Sequence, residues 1–187
     1  VLTKLYKLAY NFSEGLAIVE IGGKRGYIDL FDEIAIEPIF DDSDGFSQGL
    51  AAVRIGGRYG YIDRSGKLVI KPAYENARWF SDGFAPVELE GRWGFIDRDG
   101  RMRIEPQYEE VGNFYDGLAA VRIKGAWGYI DKAGRVVIQP QFSRAGRFNL
   151  GLASIERCKE PESARSSKSC RLGYVSKSGK IIGTQNL

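Results

Sequence analysis

The sequence predicts an all-β protein built from five tandem repeats, and three observations carry that prediction. The triplet Gly-Leu/Phe-Ala recurs at Gly15, Gly49, Gly83, Gly117 and Gly151, each 34 residues after the last. Aromatic residues keep the same step at Phe12, Phe46, Phe80, Phe114 and Phe148, and again at Tyr6, Phe40, Tyr74, Tyr108 and Phe142. An Ile-x-Pro element follows suit at Ile36/Pro38, Ile70/Pro72, Ile104/Pro106 and Ile138/Pro140. Self-similarity at a fixed period over this many positions is the signature of a repeat architecture.

A period of 34 also suits paired helices, so the local pattern has to decide. Each unit opens with alternation, as in Leu50-Ala51-Ala52-Val53-Arg54-Ile55, and reaches a two-residue turn ending in Gly, such as Gly56-Gly57 or Glu90-Gly91. A second β-rich run follows, Tyr59-Gly60-Tyr61-Ile62-Asp63, then a turn closing at Gly66 and a third run, Leu68-Val69-Ile70. Hairpin signals between short β-branched and aromatic runs mean strand, turn, strand, turn, strand, and glycines this close leave no room for a helix of useful length. The unit is therefore a three-stranded meander plus a connection of about ten residues, with room for a fourth short strand. Ala51, Val53 and Ile55 fall on one face, Leu50 and Ala52 on the other, so both faces need cover that only neighbouring repeats supply.

These units make a single domain over 1–187, with an insertion at 159–169 in the fifth repeat. A five-bladed propeller-like arrangement is expected, because inner strands rich in small residues (Ala51-Ala52, Ala119-Ala120) suit crowding near an axis. The alternative is an open β superhelical array. Thirty-four residues is short for a four-stranded blade, and the series Glu20, Arg54, Glu88, Arg122, Glu156 would bring like charges together if an odd ring closed.

The runs Gly91-Arg92-Trp93-Gly94-Phe95-Ile96-Asp97 and Gly125-Ala126-Trp127-Gly128-Tyr129-Ile130-Asp131 carry a Trp-Gly pair in a fixed frame. With the turn Gly, the Ile-x-Pro and the Phe-x-x-Gly-Leu-Ala, the chain resembles the bacterial WG-repeat proteins over essentially its whole length. The outer repeats depart from the pattern: Arg25 and Leu172 replace the Trp, Tyr59 stands in for it, Ser176 replaces the Asp, and Asp32 replaces the turn Gly. The resemblance implies a β-rich scaffold, often of envelope or secreted proteins, and brings no catalytic residues with it.

The chemistry on offer is narrow. The chain has no His, which removes the commonest general base and metal ligand, and no nucleophile–base pair stands out, so an enzyme is not expected, nor a cofactor or metal. The recurring Asp29, Asp63, Asp97 and Asp131 open hairpin turns, where an Asp caps backbone amides, and lack the spacing of a calcium loop. Tyr59, Trp93 and Trp127 share one repeat position and read as packing, with an aromatic ladder for sugars as the functional alternative. Trp79 differs, because its register mates are Gly45, Asn113 and Arg147, so the repeat does not need an aromatic there and a contact surface is expected.

Cys158 and Cys170 fall where other repeats have their two turn residues, so they flank a hairpin and are expected to form a disulfide. A bridge implies an oxidising compartment, hence a periplasmic or extracellular location. No secretory leader is visible and the sequence begins at Val1; a lipid anchor on a removed N-terminal segment fits the same expectation. No apolar run approaches the roughly 20 residues of a membrane span. The net charge of +3 comes from 27 basic and 24 acidic residues, interspersed over most of the chain, which speaks against nucleic acid as a partner. Basic residues concentrate around the insertion, and Arg157, Lys159, Arg165, Lys168 and Arg171 join Trp79 as candidate binding residues. The leading expectation is a protein partner, such as a toxin or effector met by an inhibitor or immunity-type protein; the alternative is a glycan or cell-wall polymer.

Overall fold

The computed structural model describes residues 10–159 and 169–186, and those residues form five antiparallel sheets, with no helix among them. Strands β1 (Ala17–Ile21), β2 (Lys24–Ile28) and β3 (Ile34–Phe40) make the first sheet. The second holds β4 (Asp42–Ser43), β5 (Leu50–Ile55), β6 (Arg58–Asp63) and β7 (Leu68–Tyr74). The third holds β8 (Asn76–Ala77), β9 (Phe84–Leu89), β10 (Arg92–Asp97) and β11 (Met102–Tyr108). The fourth holds β12 (Glu110–Val111), β13 (Leu118–Ile123), β14 (Ala126–Asp131) and β15 (Val136–Phe142). The fifth holds β16 (Arg144–Asn149), β17 (Leu152–Lys159), β18 (Ser169–Ser176) and β19 (Ile181–Asn186). The sheets follow one another in a propeller-like arrangement. The three-stranded meander is present in every repeat, and the connection supplies the fourth strand, which pairs with the next sheet rather than its own.

Turn chemistry sets the hairpins. Gly56 and Gly57 both take positive φ (60° and 84°), as do Glu90-Gly91 and Lys124-Gly125, the geometry of a two-residue turn that matches strand twist. The Gly of the Trp-Gly pair has a different cause. A Cβ on Gly94 would lie 2.5 Å from the Ile104 carbonyl oxygen and 2.8 Å from the Pro106 nitrogen; Gly26, Gly60 and Gly128 meet the same obstacle. β11 crosses at this point, where its register with β10 shifts between Trp93 and Phe95. The close approach is therefore made by the third strand of the same sheet, not by a neighbouring repeat.

Sheets bury their two faces against different neighbours. Ala51, Val53 and Ile62 pack back onto Leu16, Ile18 and Tyr27, while Leu50, Ala52 and Tyr61 pack forward onto Ala85, Val87 and Ile96. Two polar contacts recur at the junctions, the first at three of them and the second at all four. Ser13, Ser47 and Ser81 hydroxyls donate to the carbonyls of Phe46, Phe80 and Phe114 at 2.5–2.7 Å. Glu14, Gln48, Asp82 and Asp116 accept the amides of Gly49, Gly83, Gly117 and Gly151 at 2.8–3.1 Å.

The alternating series Glu20, Arg54, Glu88, Arg122, Glu156 has a different explanation from attraction between stacked repeats. Three of its members are answered within their own sheet by the first strand. Arg122 pairs with Glu110, Glu156 with Arg144, and Asn76 donates to Glu88.

Substituting Gly94→Ala should destabilise the chain by about 3 kcal/mol, well above an average mutation, because the added methyl has only backbone to displace. Chemical denaturation followed by β-type circular dichroism checks this; an unchanged midpoint would refute the steric account.

Candidate functional site

The fifth repeat departs furthest from the others, and it does so at its hairpin. β17 and β18 run two residues beyond the length of β5, so that Cys158 stands directly opposite Cys170 and Lys159 opposite Ser169. The expected disulfide joins Cys158 to Cys170, with Cα atoms 4.0 Å apart. Two residues of the insertion, Lys159 and Ser169, are thus part of the strands. The amide of Cys158 donates to Ser143 Oγ at 2.9 Å, as the turn amides of Gly56, Gly91 and Gly125 donate to Asp41, Glu75 and Glu109. The extension therefore leaves the repeat's own contact in place.

Arg157 and Arg171 lie opposite each other one pair inside the bridge, and both are exposed. Arg157 donates to Gln141 at 2.6 Å with its guanidinium 5.8 Å from the centre of the Phe142 ring. Of the other expected basic residues, Lys159 belongs to β17, while Arg165 and Lys168 lie outside the described residues. The Glu156 carboxylate approaches the two sulfurs, but sulfurs joined to each other offer no thiolate to a metal ion.

Trp79 is far from this hairpin in sequence and belongs to a second feature. It is 43% exposed and borders an open groove of about 370 Å³ with Ser13, Asp44, Gly45, Phe46 and Ser47. The groove exists because Gly45 stands where the next repeat has Trp79. Burial, followed by the charge of Asp42, pushes the Asp44 carboxyl up, against the pull of Arg25 and Arg78. Tyr115 continues the surface beyond Trp79, its hydroxyl 3.4 Å from the indole nitrogen, and Arg147 lies 4.8 Å from the centre of the Tyr115 ring. Sequence reasoning singled out Trp79 but not Asp44; the signal available was Gly45 alone.

The Trp-Gly aromatics have no such exposure. Trp93 is 9% exposed, covered by the third-to-fourth junction with the Arg78 guanidinium 4.6 Å from its ring centre, and Tyr59 and Trp127 sit against the equivalent junctions. The packing reading holds, and the sugar-ladder alternative loses its rungs.

The recurring aspartates are turn caps. Asp63 Oδ1 accepts the amides of Ser65 (2.9 Å) and Lys67 (3.1 Å), and Asp131 Oδ1 those of Ala133 and Arg135 (both 2.9 Å). Asp29 and Asp97 do the same. The hydroxyl of Ser65 and the amides hold the Asp63 carboxyl below its ordinary range; for Asp131 the Arg135 side chain is the largest cause. A carboxyl depressed in the folded state contributes stability above its unfolded pKa near 3.9 and loses it as pH falls through the folded value. Asp63→Asn should therefore be less stable than the wild type at neutral pH, with the gap closing as the pH falls below the unfolded value and through the depressed folded one. Denaturant midpoints measured from pH 7 downwards check this; a gap that does not change with pH would refute it.

The profile of the WG containing repeat matches five times, over residues 1–24, 26–59, 59–93, 93–125 and 127–157. No curated protein sequence matches the chain. Among solved structures, the chain is similar to PorZ, a bacterial surface component of the type-IX secretion system of Porphyromonas gingivalis (12% identity, TM-score 0.47). It is also similar to the extracellular domain of the putative hybrid two-component system BT3049 from B. thetaiotaomicron (10% identity, TM-score 0.49). A third is the N-terminal domain of Nup159 (12% identity, TM-score 0.49). These alignments cover 99%, 98% and 100% of this chain but only 28%, 34% and 62% of the other chains. At these scores the likeness carries no statement about activity or partners. The fifth match ends at Arg157, one residue before Cys158, and the other four end at or just past the same hairpin turn. The repeated frame, the sheets it folds into and the five matches together place the chain in the WG-repeat family.

Proposed function

We propose that the chain is a non-enzymatic binding scaffold of the bacterial envelope or exterior, and that it grips another protein through the bridged hairpin of the fifth repeat. The observation that supports this is the disulfide at a place where the fold does not need one. The four other repeats close the same hairpin with two residues and no bridge, and the turns of three of them keep the same amide contact. A bridge closing a short loop restricts that loop chiefly, and a loop held in one shape loses less freedom when a partner binds. Exposed Arg157 and Arg171 flank the bridge, and Lys159, Arg165 and Lys168 add basic charge in the sequence between, so the partner surface is acidic. A secreted toxin or effector met by an inhibitor or immunity-type protein is one form this takes. The bridge also supports an oxidising compartment, with the periplasm or the cell exterior as the location. No helix among the described residues is long and apolar enough to cross a membrane.

A glycan reading is supported by Trp79 alone. An indole face beside a carboxylate in an open groove is a combination that sugar-binding surfaces use, since the ring stacks on C–H faces and the carboxylate accepts hydroxyls. Trp79→Ala should abolish any glycan-array signal if this reading is right.

Replacing Cys158 through Cys170 by Gly-Gly should leave the β-type circular dichroism intact while removing proteins retained from the native organism by the immobilised wild-type chain. Reduction of the wild type should weaken the same retention at least about tenfold with little change in thermal midpoint. Equal retention by wild type and shortened variant would overturn the hairpin as contact region.

A further inference from the structure

At four junctions the forward face of a sheet is dried by the sheet that follows, and the fifth sheet carries the same face with nothing over it among the described residues. Tyr27, Tyr61, Phe95 and Tyr129 are fully buried at one position; Tyr174, at the same position of the fifth repeat, is 54% exposed. The hydroxyls of Tyr27, Tyr61 and Tyr129 donate to a backbone carbonyl of the next sheet, those of Asp44, Arg78 and Gly146, at 2.7–2.9 Å. Leu16, Leu50 and Leu118 are buried where Leu152 is exposed. Ile36, Ile70 and Ile138 pair with the aromatic in register and are buried; Ile182 pairs with Tyr174 and is exposed. Leu172 completes a shallow hollow of about 450 Å³ lined also by Ser154, Tyr174, Ile182 and Gly183.

One residue on this rim is not a copy of the repeat. Glu14, Gln48, Asp82 and Asp116 each reach to a turn amide of the following sheet. Their mate in the fifth repeat is Leu150, 93% exposed and held at φ 50° like them. The face has kept its apolar groups and exchanged the polar group that would dock another repeat for a further apolar one.

We propose that this face is the interface of a two-fold dimer in which the fifth sheets of two copies of the chain pack face to face. Head-to-tail growth is closed, because the opposing face of the first sheet is already dry: Ala17, Val19 and Ile28 are buried. A surface that meets its own copy must then be self-complementary about a two-fold axis. Leu150, Leu152, Leu172, Tyr174 and Ile182 leave on the order of 500 Å² of apolar surface in water, the upper end of what one patch on a monomer carries and over half of one partner's share in a standard interface. The dimer is independent of the hairpin reading, since it uses the sheet face rather than the bridged tip.

Sedimentation velocity and light scattering on the oxidised chain, from about 1 to about 100 μM, test this. A concentration-dependent mass of twice 20.8 kDa is expected. Tyr174→Asp should weaken dimerisation at least tenfold with the monomer's thermal midpoint unchanged, whereas Val69→Asp, on an exposed position of the second sheet, should leave the dimer intact. Should Tyr174→Asp fail to fold, Leu150→Glu carries the test, because Glu14 already occupies the equivalent position and backbone. A chain that stays monomeric over the whole range overturns the proposal. So does a dimer that survives both Tyr174→Asp and Leu150→Glu. Partner capture through the hairpin is read separately and can succeed or fail in either case.

Discussion

The ring of Tyr61 meets that of Phe80 edge-on with centroids 4.9 Å apart, and its hydroxyl reaches the Arg78 carbonyl at 2.8 Å. Tyr27 with Phe46 and Tyr129 with Phe148 repeat the arrangement within 0.1 Å, and Phe95 with Phe114 keeps it without the hydroxyl. This contact joins one sheet to the next, and the remaining structure is arranged around it. The ring is large and apolar, so it dries the junction, while its hydroxyl has to find an acceptor once buried and so fixes how far the next sheet slides. The small residues on the facing strand, Ala51 and Val53 or Ala119 and Val121, leave the space the ring occupies.

That dependence explains why the first and fifth sheets differ from the three between them. A repeat offers two faces and can dry neither by itself, so the outermost faces need a different solution from the inner ones. The first sheet's outer face is dry. The fifth sheet's is wet, and its sequence has shifted in the direction of contact rather than solubility, with Leu150 where every earlier repeat carries Glu, Gln or Asp.

The contact features proposed for the chain sit where the repeat is not obeyed. The Asp caps and Trp-Gly positions recur because each hairpin turn and each strand crossing needs them, and the structure accounts for them within the repeat. Gly45 beside Trp79, the bridged hairpin and Leu150 each break the register at one place, and each leaves a groove, a projection or an uncovered face. In a repeat protein the shared frame identifies the scaffold, and the exceptions point to what the scaffold presents.

The sequence by itself determined the period, the strand and turn pattern, the all-β class and the pairing of Cys158 with Cys170, because these follow from local geometry: alternation, positive-φ turn positions and residues flanking a hairpin. It also separated Trp79 from the aromatics at the Trp-Gly position, since counting by 34 shows which positions the repeat requires. Three matters waited for tertiary structure. The reason for Gly94 lies in a strand ten residues away that crosses over it, and three members of the charge series are answered by the first strand of their own sheet, which in the third and fourth sheets is only two residues long. Counting by the repeat would also place Gly183 opposite Tyr174, yet β19 pairs one residue out of step and sets Ile182 there. Register between strands is decided by which side chains end up dry, and that is a property of the assembled sheets rather than of any single segment.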